Sequence, residues 1–356
     1  MRIVPLLPIA AGVTVFTLSW ALVLLVRSLA LRRGLLDLPN ERSSHVLPTP
    51  RLGGIGILVA IVVAGSGMAW AAGMLSRDAV IVLVLSAGVS LVSLQDDLRG
   101  LSPLGRLIVH LAAAFVTVAA LGALDIVPGV EAGTAATLAA QGLTILWIAG
   151  FINAFNFMDG TDGIAAAQAL IAGSVWAVTG WSLDDAPLMV VAIAVAAASA
   201  GFLVHNRPPA TIFMGDVGSA LLGFLLSTLP LLAVGRQSLL TAVLPVWPFV
   251  FDTTFTLLRR ARRRENLLAA HRSHLYQRLT RCGWSHGRTA ILYSVLALAG
   301  ASVTVPMAVG RLHSVLPALI VLVVGPALLW MLVVSQEARH AGSAFEGMPA
   351  RRSDDA

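Results

Sequence analysis

Residues 153–163 read N-A-F-N-F-M-D-G-T-D-G and separate two apolar runs, 134–152 and 163–181, each long enough to cross a bilayer as a helix. Asn153, Asn156, Asp159 and Asp162 therefore stand at the rim of a hydrocarbon layer. Carboxylates there are costly to place and to keep ionised. A membrane protein that gathers them at a helix end usually does so to bind cations, protons or a substrate. Taken alone, Asp159-Gly160 and Asp162-Gly163 also read as a turn with helix caps, with Asp162 as N-cap of the following span. That simpler reading leaves Asn153 and Asn156 unexplained.

Apolar runs recur along the whole chain. Of its 356 residues, 57% are hydrophobic and 12% charged, and the mean hydropathy is +0.86. This balance excludes a soluble protein. The pattern predicts an all-α polytopic membrane protein with about eleven spans. They fall near 4–30, 53–75, 79–95, 104–124, 134–152, 163–181, 187–204, 217–234, 238–258, 287–309 and 313–334. The membrane domain covers 1–336, and the polar, charge-mixed segment 337–356 reads as a disordered tail. The first span is too long for a secretory signal and lacks a basic leader. Cys282 is the single cysteine, so no intrachain disulfide forms, and its basic loop suggests an incidental thiol.

All 24 basic residues are arginine, and 19 of them fall on alternate loops. Nine lie between the ninth and tenth spans, among them the run Arg259–Arg264, which reads as an anchor for anionic lipid heads. The positive-inside rule then places the amino terminus outside and the carboxyl terminus in the cytoplasm. Topology accounts for the arginine excess, so no nucleic-acid partner is expected.

With that orientation the polar motifs share one face, in the loops 31–54, 95–106, 152–163, 205–219 and 259–288. Asp96-Asp97, taken alone, is a solvated helix end as readily as a metal-binding or proton-abstracting pair. Phe213 suits either a membrane-interface aromatic or a platform for a base. Gly215-Asp216-Val217-Gly218-Ser219 sets backbone N–H groups and a carboxylate at a helix start, an arrangement that favours phosphate and its metal. Arg272, between His271 and His274, is a better phosphate ligand than the lipid-facing arginine run. A transporter would bury its charges in mid-span, where this chain has only Asp252 and Arg27 as close cases.

Five segments together resemble the polyprenyl-phosphate N-acetylhexosamine-1-phosphate transferase superfamily, glycosyltransferase family 4. They are P-T-P-R-L-G-G at 48–54, Q-D-D at 95–97, N-x-x-N-x-x-D-G-x-D-G at 153–163, F-M-G-D-x-G-S at 213–219 and H-R-S-H-L-Y-Q-R-L at 271–279. The last segment is more similar to the WbpL/WecA branch than to the MurNAc-pentapeptide branch, which carries a His triplet there. The resemblance implies transfer of an N-acetylhexosamine 1-phosphate from a UDP-sugar to undecaprenyl phosphate, releasing UMP. That would be the initiating step of a surface glycan such as O-antigen or teichoic acid, at the cytoplasmic face of a bacterial inner membrane. It further implies Mg²⁺, with Mn²⁺ as the alternative, on Asn156 and Asp216. Asp96, Asp97, Asp159, Asp162, His271, Arg272 and His274 would be catalytic. Asn153, Asp159, Asp162, Phe213, His45 and Arg51 would hold the nucleotide sugar. Homodimers are common among such relatives and are the oligomer the resemblance suggests.

Overall fold

A computed structural model describes residues 6–38, 47–126, 133–235, 237–267, 269 and 271–346. The described chain is mainly helical, with one two-residue antiparallel pair, β1 (Leu36–Asp37) with β2 (Thr49–Pro50), and an isolated bridge between Asp125 and Ser238. Among the described residues ten helices are long and apolar enough to cross a membrane. These are α1 (Leu6–Arg33), α2 (Gly54–Ala71), α3 (Arg77–Arg99), α4 (Pro103–Leu121), α5 (Thr134–Met158), α6 (Ile164–Ser182), α7 (Ala186–Asn206), α9 (Leu239–Arg262), α11 (His286–Ala308) and α12 (Leu316–Glu346). A shorter apolar helix, α8 (Asp216–Leu232), brings the set to the predicted number, and α10 (Leu275–Arg281) is a short helix outside the spans.

Local sequence explains most boundaries. Ser76, Ser102 and Ser285 each accept the N–H of the residue three positions on, opening α3, α4 and α11. Gly100 and Gly163 turn the chain at positive φ after α3 and before α6. α2 widens into a π-helical segment at Ala60–Gly65 where it packs on α1 and α7.

The core lies around α8, which is buried on nearly every side and packs against α3, α5 and α2. A helix apolar all round belongs inside a bundle. Small residues let its neighbours approach: a Cβ on Gly54 would lie 2.3 Å from the Gly218 Cα, and one on Gly223 would lie 2.8 Å from the Ile152 Cα. These contacts bring the start of α8 to the same end of the bundle as the ends of α3 and α5.

The last helix departs from expectation. It runs through Glu337, where disorder was predicted, to Glu346. Arg278 grips Glu337 with two guanidinium nitrogens and lies 5.0 Å over the Trp330 ring, fixing this part of α12 to α10. Residues 347–356 of the predicted tail lie outside the described residues.

Candidate active site

Asp97, near the end of α3, points both carboxylate oxygens at the start of α8. Its Oδ1 accepts the Asp216 N–H at 3.1 Å, and its Oδ2 accepts the Val217 N–H at 2.9 Å. Gly215 permits this approach, with φ of 74° and no Cβ, which would lie 2.9 Å from Asp97 Oδ2. Asp96 accepts the Leu101 N–H just beyond its helix. Arg106, in the first turn of α4, joins the two carboxylates across the site. Its Nη1 is 2.8 Å from Asp96 Oδ2 and 2.8 Å from Asp216 Oδ2.

The P-T-P-R-L-G-G segment is laced to F-M-G-D by backbone. The Phe213 N–H donates to the Pro50 carbonyl at 2.8 Å, and the Gly53 and Gly54 N–H groups donate to the Phe213 and Met214 carbonyls at 2.9 and 2.8 Å. Phe213 is left half-buried at the rim. Arg51 acts electrostatically on Asp97, and its Nε is buried without a hydrogen-bond partner. His45 lies outside the described residues.

The Asn153–Gly163 cluster divides by partner. Asn153 Nδ2 donates to the Ala149 carbonyl at 2.7 Å and lies 3.1 Å from His110 Nδ1 on α4, so this amide braces two helices. Asn156 makes no side-chain hydrogen bond among the described residues. Burial, followed by the charges of Asp216, Asp97 and Asp162, pushes the Asp159 carboxyl well above the usual carboxylate range. Asp162 Oδ2 accepts the Ala210 N–H at 3.0 Å and lies 3.2 Å from His286 Nδ1 at the start of α11. Asn206 ties this turn to the next loop, accepting the Gly163 N–H at 2.9 Å and donating to the Ile212 carbonyl at 3.0 Å.

The His-Arg-Ser-His segment divides as well. His271 remains partly exposed, with Nδ1 3.0 Å from Ser273 Oγ. Burial, and next the neighbouring His274 and Arg260, push it down to about 4. It is therefore a neutral ring at physiological pH. Arg272 beside it is half-buried. His274, expected to grip phosphate or sugar, is instead only 2% exposed, and its Nδ1 lies 3.2 Å from Asp252 Oδ1. Asp252 also accepts the Leu275 N–H at 2.8 Å, the Tyr276 N–H at 3.1 Å, the Thr256 hydroxyl at 3.2 Å and the Tyr293 hydroxyl at 2.6 Å. A group enclosed in this way belongs to the scaffold of the loop.

Among the described residues no three His, Cys, Asp or Glu side chains form a metal cage. Asp216 and Asn156 carry oxygen donors of the type a hard cation takes, although Asp216 Oδ2 is paired with Arg106. The mutual repulsion of Asp97, Asp159, Asp162 and Asp216 is the kind of field a divalent ion relieves.

Sequence reasoning missed Arg106, His110, His286, Asn206 and the role of Asp252. One signal was present: Arg106 and His286 are basic residues in the first turn of their helices, where the macrodipole disfavours them. Such a placement asks for a carboxylate nearby, and each has one.

A helix bundle that concentrates carboxylates, an amide and two arginines at one end is built as a membrane enzyme for an anionic substrate. The family model described as glycosyl transferase family 4 matches residues 79–234. A Bacillus subtilis (strain 168) protein named "Probable undecaprenyl-phosphate N-acetylglucosaminyl 1-phosphate transferase" is 32% identical over 275 residues, 75% of this chain and 76% of that protein. A decaprenyl-phosphate N-acetylglucosaminephosphotransferase of Mycolicibacterium smegmatis is 32% identical over 317 residues, 80% of this chain and 76% of that one. A phospho-N-acetylmuramoyl-pentapeptide-transferase of Lactiplantibacillus plantarum is 34% identical over 166 residues, 45% of this chain and 50% of that protein. The chain belongs to glycosyl transferase family 4, within the polyprenyl-phosphate hexosamine-1-phosphate transferase superfamily.

Proposed function

We propose that the chain transfers an N-acetylhexosamine 1-phosphate from a UDP-sugar to undecaprenyl phosphate, at the cytoplasmic end of its helices, and releases UMP. The observation that carries this reading is the Arg106 bridge between Asp96 and Asp216, beside the Asp97 cap of α8. It supplies a charged, rigid surface where two phosphate groups can be brought together. The relatives named for polyprenyl-phosphate N-acetylglucosamine 1-phosphate transfer match over most of the chain, whereas the pentapeptide transferase of Lactiplantibacillus plantarum matches over less than half. The arginine distribution favours the cytoplasm for this end.

In the reaction an oxygen of the lipid phosphate forms a bond to the sugar-bearing phosphorus. The bond from that phosphorus to the bridging oxygen breaks, and UMP leaves with the electron pair. One phosphoanhydride replaces another, so rate comes from positioning and charge neutralisation. Mg²⁺, or Mn²⁺, held by Asp216 and Asn156, would neutralise the pyrophosphate. Phe213 would stack on uracil, with Asp159 and Asp162 on the nucleotide side. Arg51, with its free Nε, and Arg272 would hold phosphate oxygens. Both Asp97 oxygens are already engaged by backbone N–H groups. This favours direct attack by the lipid phosphate over a phospho-aspartate.

The test is product identity. The purified chain with undecaprenyl phosphate and labelled UDP-N-acetylglucosamine should release UMP, and release of UDP would exclude this class of reaction. Asp216→Asn should lose turnover by about 10²-fold or more without rescue by added Mg²⁺.

A further inference from the structure

The Tyr276 hydroxyl reaches from α10 to the other side of the site and donates to the Phe157 carbonyl at 3.0 Å. Phe157 lies in the last turn of α5, between Asn156 and the Asp159 turn. The phenol is 1% exposed and is placed by its own N–H on Asp252, while its ring is flanked by His274 and Tyr293. Gly160 closes over the same oxygen: a Cβ there would lie 2.1 Å from Tyr276 Oη, but 3.2 Å from the ring carbon that bears it. Gly160 has no positive φ, so backbone conformation does not require glycine. The space occupied by one hydroxyl oxygen does. Burial, and then Asp252 and Asp159, push the phenol up, so it remains a donor throughout the working pH range.

We propose that Tyr276 is a positioning residue: with its backbone N–H held by Asp252 and its hydroxyl covered by Gly160, that hydroxyl sets the carbonyl of Phe157 and thereby aims Asn156 and Asp159 into the site. This inference rests on the metal and nucleotide assignments made above. The oxygen is a strut between two motifs that are more than a hundred residues apart, 153–163 and 271–279. Removing it should loosen the aim of the donors without opening a large cavity.

The experiment is a double-mutant cycle on the full-length chain in detergent with Tyr276→Phe, Gly160→Ala and both together. Three readings are taken: thermal midpoint, Mn²⁺ binding by electron paramagnetic resonance, and UMP release from UDP-N-acetylglucosamine with undecaprenyl phosphate. Tyr276→Phe should keep its midpoint within a few degrees and weaken Mn²⁺ binding by about 3- to 10-fold, the loss expected of one buried hydrogen bond. Gly160→Ala should be the worst of the three, and adding Tyr276→Phe to it should bring midpoint and Mn²⁺ binding back to the level of Tyr276→Phe alone, because the clash is with the deleted oxygen. Losses that simply multiply, or Mn²⁺ binding unmoved in Tyr276→Phe, would overturn the proposal. If Gly160→Ala fails to fold, recovery of folded protein in the double variant supports the strut, and otherwise Tyr276→Phe alone decides. A wild type that binds Mn²⁺ but releases no UMP would instead count against the transferase reading.

Discussion

Asp97 and Asp252 do the same local job in two regions of the molecule. Each carboxylate accepts two consecutive backbone N–H groups at the start of a helix, Asp97 at α8 and Asp252 at α10. Their surroundings differ. Asp252 is 0% exposed and is completed by His274, Thr256 and Tyr293. Asp97 shares a half-open site with Asp159, Asp162 and Asp216, and with Arg51 and Arg106 nearby. A carboxylate whose donors are all supplied by the fold is framework. One set among carboxylates whose charges are left unbalanced is available for an incoming cation.

Alanine at the two positions should separate the roles most sharply. Asp252→Ala strands several buried donors and should cost about 3–5 kcal/mol of stability, seen as a large drop in thermal midpoint. Asp97→Ala should cost less, about 1–2 kcal/mol for the two N–H groups it caps, yet lose about 10²-fold or more in turnover. Equal midpoints for the two variants would break the distinction. Arg106→Ala comes next, with a loss of about 10- to 100-fold in kcat/KM. Arg106 is 32% exposed, so solvent screens its ion pairs and they add only modestly to stability; a collapse of the fold would place Arg106 with Asp252 instead.

Phe213→Ala should raise the KM for the nucleotide sugar by about 5- to 30-fold, the worth of one stacked base, while kcat changes less. An unchanged KM would remove the stacking role. The smallest effect concerns His271, held down to about 4 against the ordinary 6.5. Between those values the unfolded chain takes up a proton that the native chain refuses. The stability linked to this ring is therefore complete above about pH 6.5 and is lost as the pH falls toward 4. On going from pH 7 to pH 5 the wild-type midpoint should fall further than that of His271→Gln; parallel falls would show that the ring is not linked.

Much of this was legible in the sequence. Apolar runs of bilayer length gave the helices, and α8 at Asp216–Leu232 sits within two residues of the span predicted at 217–234. The five motifs were read as one face, and Asp97, Asp216, Arg51 and Phe213 do meet there. What stayed hidden is the division of each motif into inward and outward members. Asn153 and Asn156 look alike in the chain, yet one turn of helix aims the first at His110. His274 looked like a ligand because its acid partner, Asp252, lies 22 positions away in the preceding span. The end of α12 is hidden in the sequence because the Arg278–Glu337 pair joins it to α10, far away along the chain.

The enclosure of α8 has a consequence for how the protein meets different membranes. Outer helices such as α1 and α12 bury only 22% and 17% of their apolar windows, so they face lipid and must tilt to match its thickness. α8 has almost no such surface, and the carboxylate at its tip is referenced to α3 and α5 instead of the acyl chains. The depth of the reacting groups is thus insulated from hydrophobic mismatch. Bilayers of shorter or longer lipids can flex the periphery while Asp216 keeps its station beside Asp97.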